Sequence, residues 1–101
     1  MKRAKILETA KNCVCGDREQ EYGSPENNFQ TIANLWTCYL VANGAIKYMD
    51  GLLSTTDVAA MMALLKIARI ASGNAKADNW VDLAGYAACG GELETEANSE
   101  T

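Results

Sequence analysis

Two cations and two carboxylates stand at helical spacing in the second half of this chain. Lys66 and Arg69 are three residues apart, and Asp78 and Asp82 are four apart. On a helix, residues at these spacings share a face. Carboxylates so placed can both bind one hard cation such as Mg²⁺, whose ligands are oxygens. A third charged feature, Asp17-Arg18-Glu19-Gln20-Glu21, precedes Tyr22-Gly23. A metal-bound triphosphate needs both kinds of group. Carboxylates must hold the cation, and cations must hold the phosphates that the metal does not reach. On this reading Asp82, Asp78 and Glu21 hold one or two Mg²⁺, and a metal-bound water attacks in line. Lys66 and Arg69 neutralise the phosphates. Tyr22, Asn79 or Trp80 meets the base or sugar. The chain has no His and no nucleophile motif, which leaves metal-activated water as the hydrolytic route. The plainer alternative is a salt-bridge network. In it Lys66 and Arg69 pair with Asp78, Asp82 or Glu21 across a helical hairpin, and function lies on a surface of a non-enzymatic helical oligomer.

Four helices are expected to position these groups, in an all-α, four-helix bundle-like domain over residues 1–91. The first spans residues 1–15, with Ile6, Leu7, Ala10 and Val14 as its apolar stripe. Gly16 suits a left-handed cap, although a continuous helix to Glu21 competes with that reading. Ser24-Pro25 is a strong start for a second helix over residues 25–41. Its core face is Phe29, Ile32, Ala33, Trp36 and Leu40. Residues 42–54 carry Gly44 and Gly51 and form a connector, with one turn around residues 46–49.

The third helix, residues 56–72, reads TDVAAMMALLKIARIAS. It is apolar nearly all round, so it is expected to be the buried centre of the bundle. Asp57 lies at its start, where the helix dipole favours an anion. A fourth helix, capped by Asn74, runs over residues 75–89 until Gly90-Gly91 ends it. Trp80, Leu83, Ala84 and Ala87 form its expected stripe. Gly85 costs a helix about 1 kcal/mol relative to Ala, which points to a close neighbour there. Residues 92–101 are acidic and polar and read as a disordered tail.

Composition narrows the function classes. The chain has 101 residues, of which 49% are hydrophobic, with a net charge of −4. A chain of this size supports one modest core. The negative balance disfavours nucleic-acid binding, which needs a basic face. Lys2, Arg3, Lys5 and Lys11 read as a solvated helix face. No apolar run approaches the roughly 20 residues that cross a bilayer, and no signal peptide is read at the start. Cys13, Cys15, Cys38 and Cys89 lack zinc-site spacing and read as reduced thiols, implying a cytoplasmic protein. Four short helices would leave Met61, Met62, Leu64, Leu65, Ile67 and Ile70 incompletely covered, so a homo-oligomer, dimer or tetramer, is expected.

Three stretches carry a resemblance. Gly16-Asp17-Arg18 with Tyr22-Gly23-Ser24-Pro25-Glu26-Asn27-Asn28-Phe29 is one. Leu64-Leu65-Lys66-Ile67-Ala68-Arg69-Ile70 is the second. Ala77-Asp78-Asn79-Trp80-Val81-Asp82-Leu83-Ala84-Gly85-Tyr86-Ala87 is the third. Together they resemble a small all-helical domain family of phages and prophages without an established function. More distantly they are similar to phage nucleotide-modification-associated domains and, more loosely, to the MazG-type all-α nucleotide pyrophosphohydrolases. That resemblance implies Mg²⁺-dependent cleavage of a nucleoside triphosphate to monophosphate and pyrophosphate, and a dimer or dimer of dimers. It implies that Asp82 is the closing acid of the last motif, Asp78 its partner and Glu21 the acid before Tyr-Gly. The chain departs from the MazG-type pattern at its Glu-x-x-Glu pair. Glu19 and Glu21 are two apart, and Glu8 has no such partner.

Overall fold

Ser54 starts the helix against which the others are arranged. Its Oγ accepts the Asp57 N–H at 3.1 Å, and the Asp57 carboxylate accepts the Ser54 N–H at 2.9 Å. This reciprocal capping box satisfies two otherwise unpaired donors. Asp57 therefore acts in partnership with the Ser54 cap, and the helix begins at Thr55, one position before the expected start. The computed structural model describes residues 1–17, 25–73 and 76–99. Four α-helices lie among them: α1 (Arg3–Asn12), α2 (Pro25–Ala42), α3 (Thr55–Ala71) and α4 (Ala77–Ser99). The described residues contain no strand, and the fold is all-α as expected.

In packing order, α2 lies against α3, α3 most extensively against α4, and α4 against α1. The core draws Phe29 and Ala33 from α2, Val58 and Ala59 from α3, and Cys89 and Leu93 from α4. Ile32, Trp36, Met62 and Tyr86 pack around them. Trp36 is thus a core residue, as its spacing indicated. Thr37 fastens the connector to α2. Its buried Oγ1 donates to the Ala33 carbonyl at 2.7 Å and accepts the Leu53 N–H at 2.9 Å. Between them a 3-10 turn at Tyr48–Asp50 leaves Tyr48 and Met49 exposed. Gly44 and Gly51 flank it with positive φ.

Three expectations are corrected. Gly16 does not cap α1. The chain winds on through a π-helical turn, Cys13–Asp17, and positive φ occurs at Gly44, Gly51 and Gly73 among the described residues. Next, Gly90-Gly91 does not end α4, which runs on to Ser99 with Leu93 buried. Two glycines cost the helix about 2 kcal/mol, and burying one Leu returns about 1.5–3 kcal/mol, so packing carries the helix through. Gly90 serves that packing, because a Cβ there would stand 3.1 Å from the Ala59 Cβ. The stretch expected as a disordered tail is helical up to Ser99. Third, α3 is not buried all round. Its buried residues are Val58, Ala59 and Lys66, while Met61, Leu64, Leu65 and Ile67 are exposed. Among the described residues α2 and α4 are its chief neighbours, and they leave this outer face exposed.

The buried face of α4 is also rotated from the expected Trp80/Leu83/Ala84/Ala87 stripe. It runs through Asn79, Val81, Gly85, Cys89 and Leu93, because α4 packs against both α3 and α1. The close neighbour inferred for Gly85 is Val14, whose Cγ1 lies 3.0 Å from where a Cβ would be. Asn74 and the segment up to Ser24 lie outside the described residues. The α3 end at Ser72-Gly73 is as expected, with Gly73 at φ +91°.

The two glycines of α4 separate packing from propensity. Gly90→Leu is expected to lower stability by about 1–3 kcal/mol through overpacking against Ala59. Gly91→Ala, which meets nothing within 4 Å, is expected to raise it by up to about 1 kcal/mol. Urea unfolding of both variants checks the pair.

Candidate functional site

The α3–α4 hairpin brings two of the sequence-predicted residues together. Lys66 Nζ lies 2.9 Å from Asp82 Oδ2, with side-chain exposures of 11% and 16%. Ala59 meets Gly90 seven residues back along α3 and eight residues onward along α4. This antiparallel register fixes the pair's level. A two-carbon carboxylate arm and a long lysine arm span the helices one turn from their connected ends. The cost of removing both charges from water is offset by their short, charge-assisted contact.

Continuing the register places Arg69 level with Asp78 and Asn79. Arg69 lies in the last turn of α3 and Asp78 in the first turn of α4. Each sits where its helix dipole favours its charge. Both are exposed. Lys66 and Arg69 thus divide, one turned inward onto Asp82 and the other outward to solvent. The shared face expected from their spacing is therefore corrected. Three residues of helix turn the side chain by about 60°, enough to carry Arg69 past the α4 contact.

Asn79 is buried and Trp80 is half-exposed. Glu21 and Tyr22 lie outside the described residues. Among the described residues no three His, Cys, Asp or Glu side chains gather as a metal-holding group. What the described part offers is a carboxylate one turn from an ion-paired carboxylate, at the connected end of a hairpin, with an exposed guanidinium at the same level. Such an end can hold an anion through Arg69 and a cation through Asp78. The four cysteines are free thiols: Cys89 is buried, Cys13 half-buried, and Cys15 and Cys38 exposed. No helix is long and apolar enough to cross a membrane among the described residues.

Sequence reasoning found the charged residues but not which of them pair. The capping role of Ser54 was missed, although Ser-x-x-Asp ahead of an apolar run was there to be read.

The ion pair has a definite energetic signature. Removing one partner strands the other charge at a helix contact, so Lys66→Met or Asp82→Leu alone is expected to cost about 2–4 kcal/mol. The double variant is expected to recover most of that loss, and a double-mutant cycle by urea denaturation measures it.

The sequence profile of a family described as a domain of unknown function (DUF6378) matches residues 5–94. Among curated proteins, the Gene 55 protein of Mycobacterium phage D29 is 39% identical over 84 residues, covering 83% of this chain and 50% of the relative. The Gene 55 protein of Mycobacterium phage L5 is 40% identical over 82 residues, covering 81% of this chain and 47% of the relative. The chain therefore spans about half the length of the curated relatives it matches. No solved structure matches it.

Proposed function

This chain belongs to the DUF6378 family, represented among curated proteins by phage Gene 55 proteins, and from that premise we propose that it binds a Mg²⁺-complexed nucleoside triphosphate at the connected end of the α3–α4 hairpin. The single observation that carries this reading is the Lys66–Asp82 contact with Asp78 and Arg69 one turn further on. A buried ion pair is a poor stabiliser compared with apolar residues of the same size. Its presence at a helix contact, beside an exposed acid and an exposed cation, fits a charged ligand better than it fits packing. Asp78 and Asp82 would hold Mg²⁺, with Glu21 as the third acid. Arg69 would take the phosphates, while Lys66 keeps Asp82 in place. Asn79 and Trp80, on the same turns of α4, and Tyr22 would border the nucleoside. Bound Mg²⁺ supplies a polarised phosphoryl oxygen and an acidic water, which makes cleavage to monophosphate and pyrophosphate the reaction to test.

A second reading rests on the same 2.9 Å contact. Lys66 and Asp82 satisfy one another, and the pair is then an internal tie in a non-enzymatic interaction protein. The two readings differ over Asp78, which only the first requires.

Asp78 is the residue to change, because it is exposed and its loss leaves the α3–α4 contact intact. Pyrophosphate release from a panel of ribo- and deoxynucleoside triphosphates with Mg²⁺ or Mn²⁺ is expected to be lost in Asp78→Asn with the melting temperature unchanged. Saturating nucleotide and Mg²⁺, at 100 times Kd, is expected to stabilise the parent chain by about 2.7 kcal/mol. For a domain of this size that is a rise on the order of 10 °C in Tm. Turnover unchanged in Asp78→Asn would sink the site assignment. A parent chain with neither turnover nor a thermal shift would favour the internal tie.

A further inference from the structure

Two adjacent glycines in α4 have opposite surroundings. A Cβ on Gly90 would stand 3.1 Å from the Ala59 Cβ, whereas one on Gly91 would meet nothing within 4 Å. Gly90 is therefore fixed by its neighbour on α3, while Gly91 has room to turn. Beyond Gly91 the helix continues to Ser99. Of residues 91–96 only Leu93 is buried, and Glu92, Glu94, Thr95 and Glu96 are exposed. Leu93 packs in the core cluster with Phe29, Ala33, Val58, Ala59 and Cys89.

Little besides that one side chain favours a helix here. Glu92 and Glu96 are four residues apart, a like-charge spacing that weakens a helix. Glu96 stands in the last turn, where the dipole disfavours an anion, and no basic residue shares that turn. Thr95 Oγ1 donates to the carbonyls of Gly91 at 2.8 Å and Glu92 at 3.2 Å. These two bonds close within the segment and do not fasten it to the core. The glycine pair costs the helix about as much as the burial of one leucine returns. With the charges added, a docked and a detached segment lie close in free energy.

We propose that residues 91–99 are a strap that pivots at Gly91 and is latched by Leu93, in equilibrium between a closed helical state and an open one. Leu93 and Cys89 are four residues apart on α4, on one face, and both belong to the same buried cluster. Opening withdraws Leu93 from that cluster and admits water to the Cys89 thiol one turn back. The rest of the fold keeps its contacts, because Gly90 against Ala59, Gly85 against Val14 and Asp82 against Lys66 all lie before the pivot. The open state presents an apolar cleft bordered by Phe29 of α2 and Val58 of α3, which the closed chain fills with its own leucine. A ligand that prefers either state shifts the balance, so the strap is a built-in cover for that cleft. Gly91 stands nine residues, about two and a half turns, beyond Asp82, and the inference does not depend on the nucleotide reading.

Alkylation of the native chain with iodoacetamide, read peptide by peptide by mass spectrometry, follows Cys89 separately from the other three thiols. Cys89 is expected to react in the folded chain at a rate set by the open fraction, with little dependence on urea below the unfolding transition, as local opening requires. Gly91→Ala, which stiffens the pivot, is expected to slow this reaction about fivefold. Leu93→Val, which trims the latch without emptying its place, is expected to speed it about threefold or more. The exposed Cys15 and Cys38 are expected to keep their rates in both variants. A Cys89 rate that climbs with urea as steeply as global unfolding itself, or one that Gly91→Ala leaves unchanged, would overturn the proposal.

Discussion

The close approach of α3 and α4 is the constraint from which the rest follows. It is made at two levels, by Ala59 against Gly90 and by Lys66 against Asp82. At the first level the absence of a Cβ lets the backbones meet. At the second, two side chains reach across and neutralise each other. Together they favour one antiparallel register, because a slip would part Ala59 from Gly90 and pull Asp82 from its lysine. Small-residue contact supplies closeness, and charge supplies registry, a use of buried ion pairs that is better founded than their net contribution to stability.

Everything on either side is set by that hairpin. Leu93 and Cys89 are carried into the core by the continuation of α4 past its glycines. Val14 reaches Gly85 from the π-helical turn after α1, so the first helix docks on α4. α2 closes on α3 through Phe29 and Ala33, and Thr37 fixes the connector to it by two hydrogen bonds. The helices therefore form a sequence of neighbours with α3 and α4 inside it. One consequence is an α3 whose inner face is spent on Val58, Ala59 and Lys66. Its outer face, equally apolar, is left to solvent or to another chain.

The charged residues at the hairpin's connected end have a twofold character. Asp78 and Arg69 are in the positions that the helix dipoles reward, and Lys66 and Asp82 satisfy each other. That much accounts for their tolerance in a folded chain. Their gathering within two turns, beside a half-exposed Trp80, is what the electrostatic bookkeeping alone does not require. These residues lie within the family match over residues 5–94.

Local features were determined by the sequence. Helical periodicity in α2 and α3, the start at Pro25, and the Ser72-Gly73 stop are short-range effects of backbone propensity, and the helix bounds agree with them to within about a residue. The core face of α2 was legible for the same reason, since Phe29, Ala33 and Trp36 recur at one helical period. Tertiary structure decided what depends on a neighbour. Gly90-Gly91 carries the same letters as a helix stop, and only Ala59 standing beside it turns it into a packing site. Lys66 and Arg69 share a sequence context, and only the position of α4 sends one inward to Asp82 and leaves the other in water. An apolar helix looks central from its own residues; whether its outer face is buried depends on how many partners the fold brings, and among the described residues Met61, Leu64, Leu65 and Ile67 stay exposed.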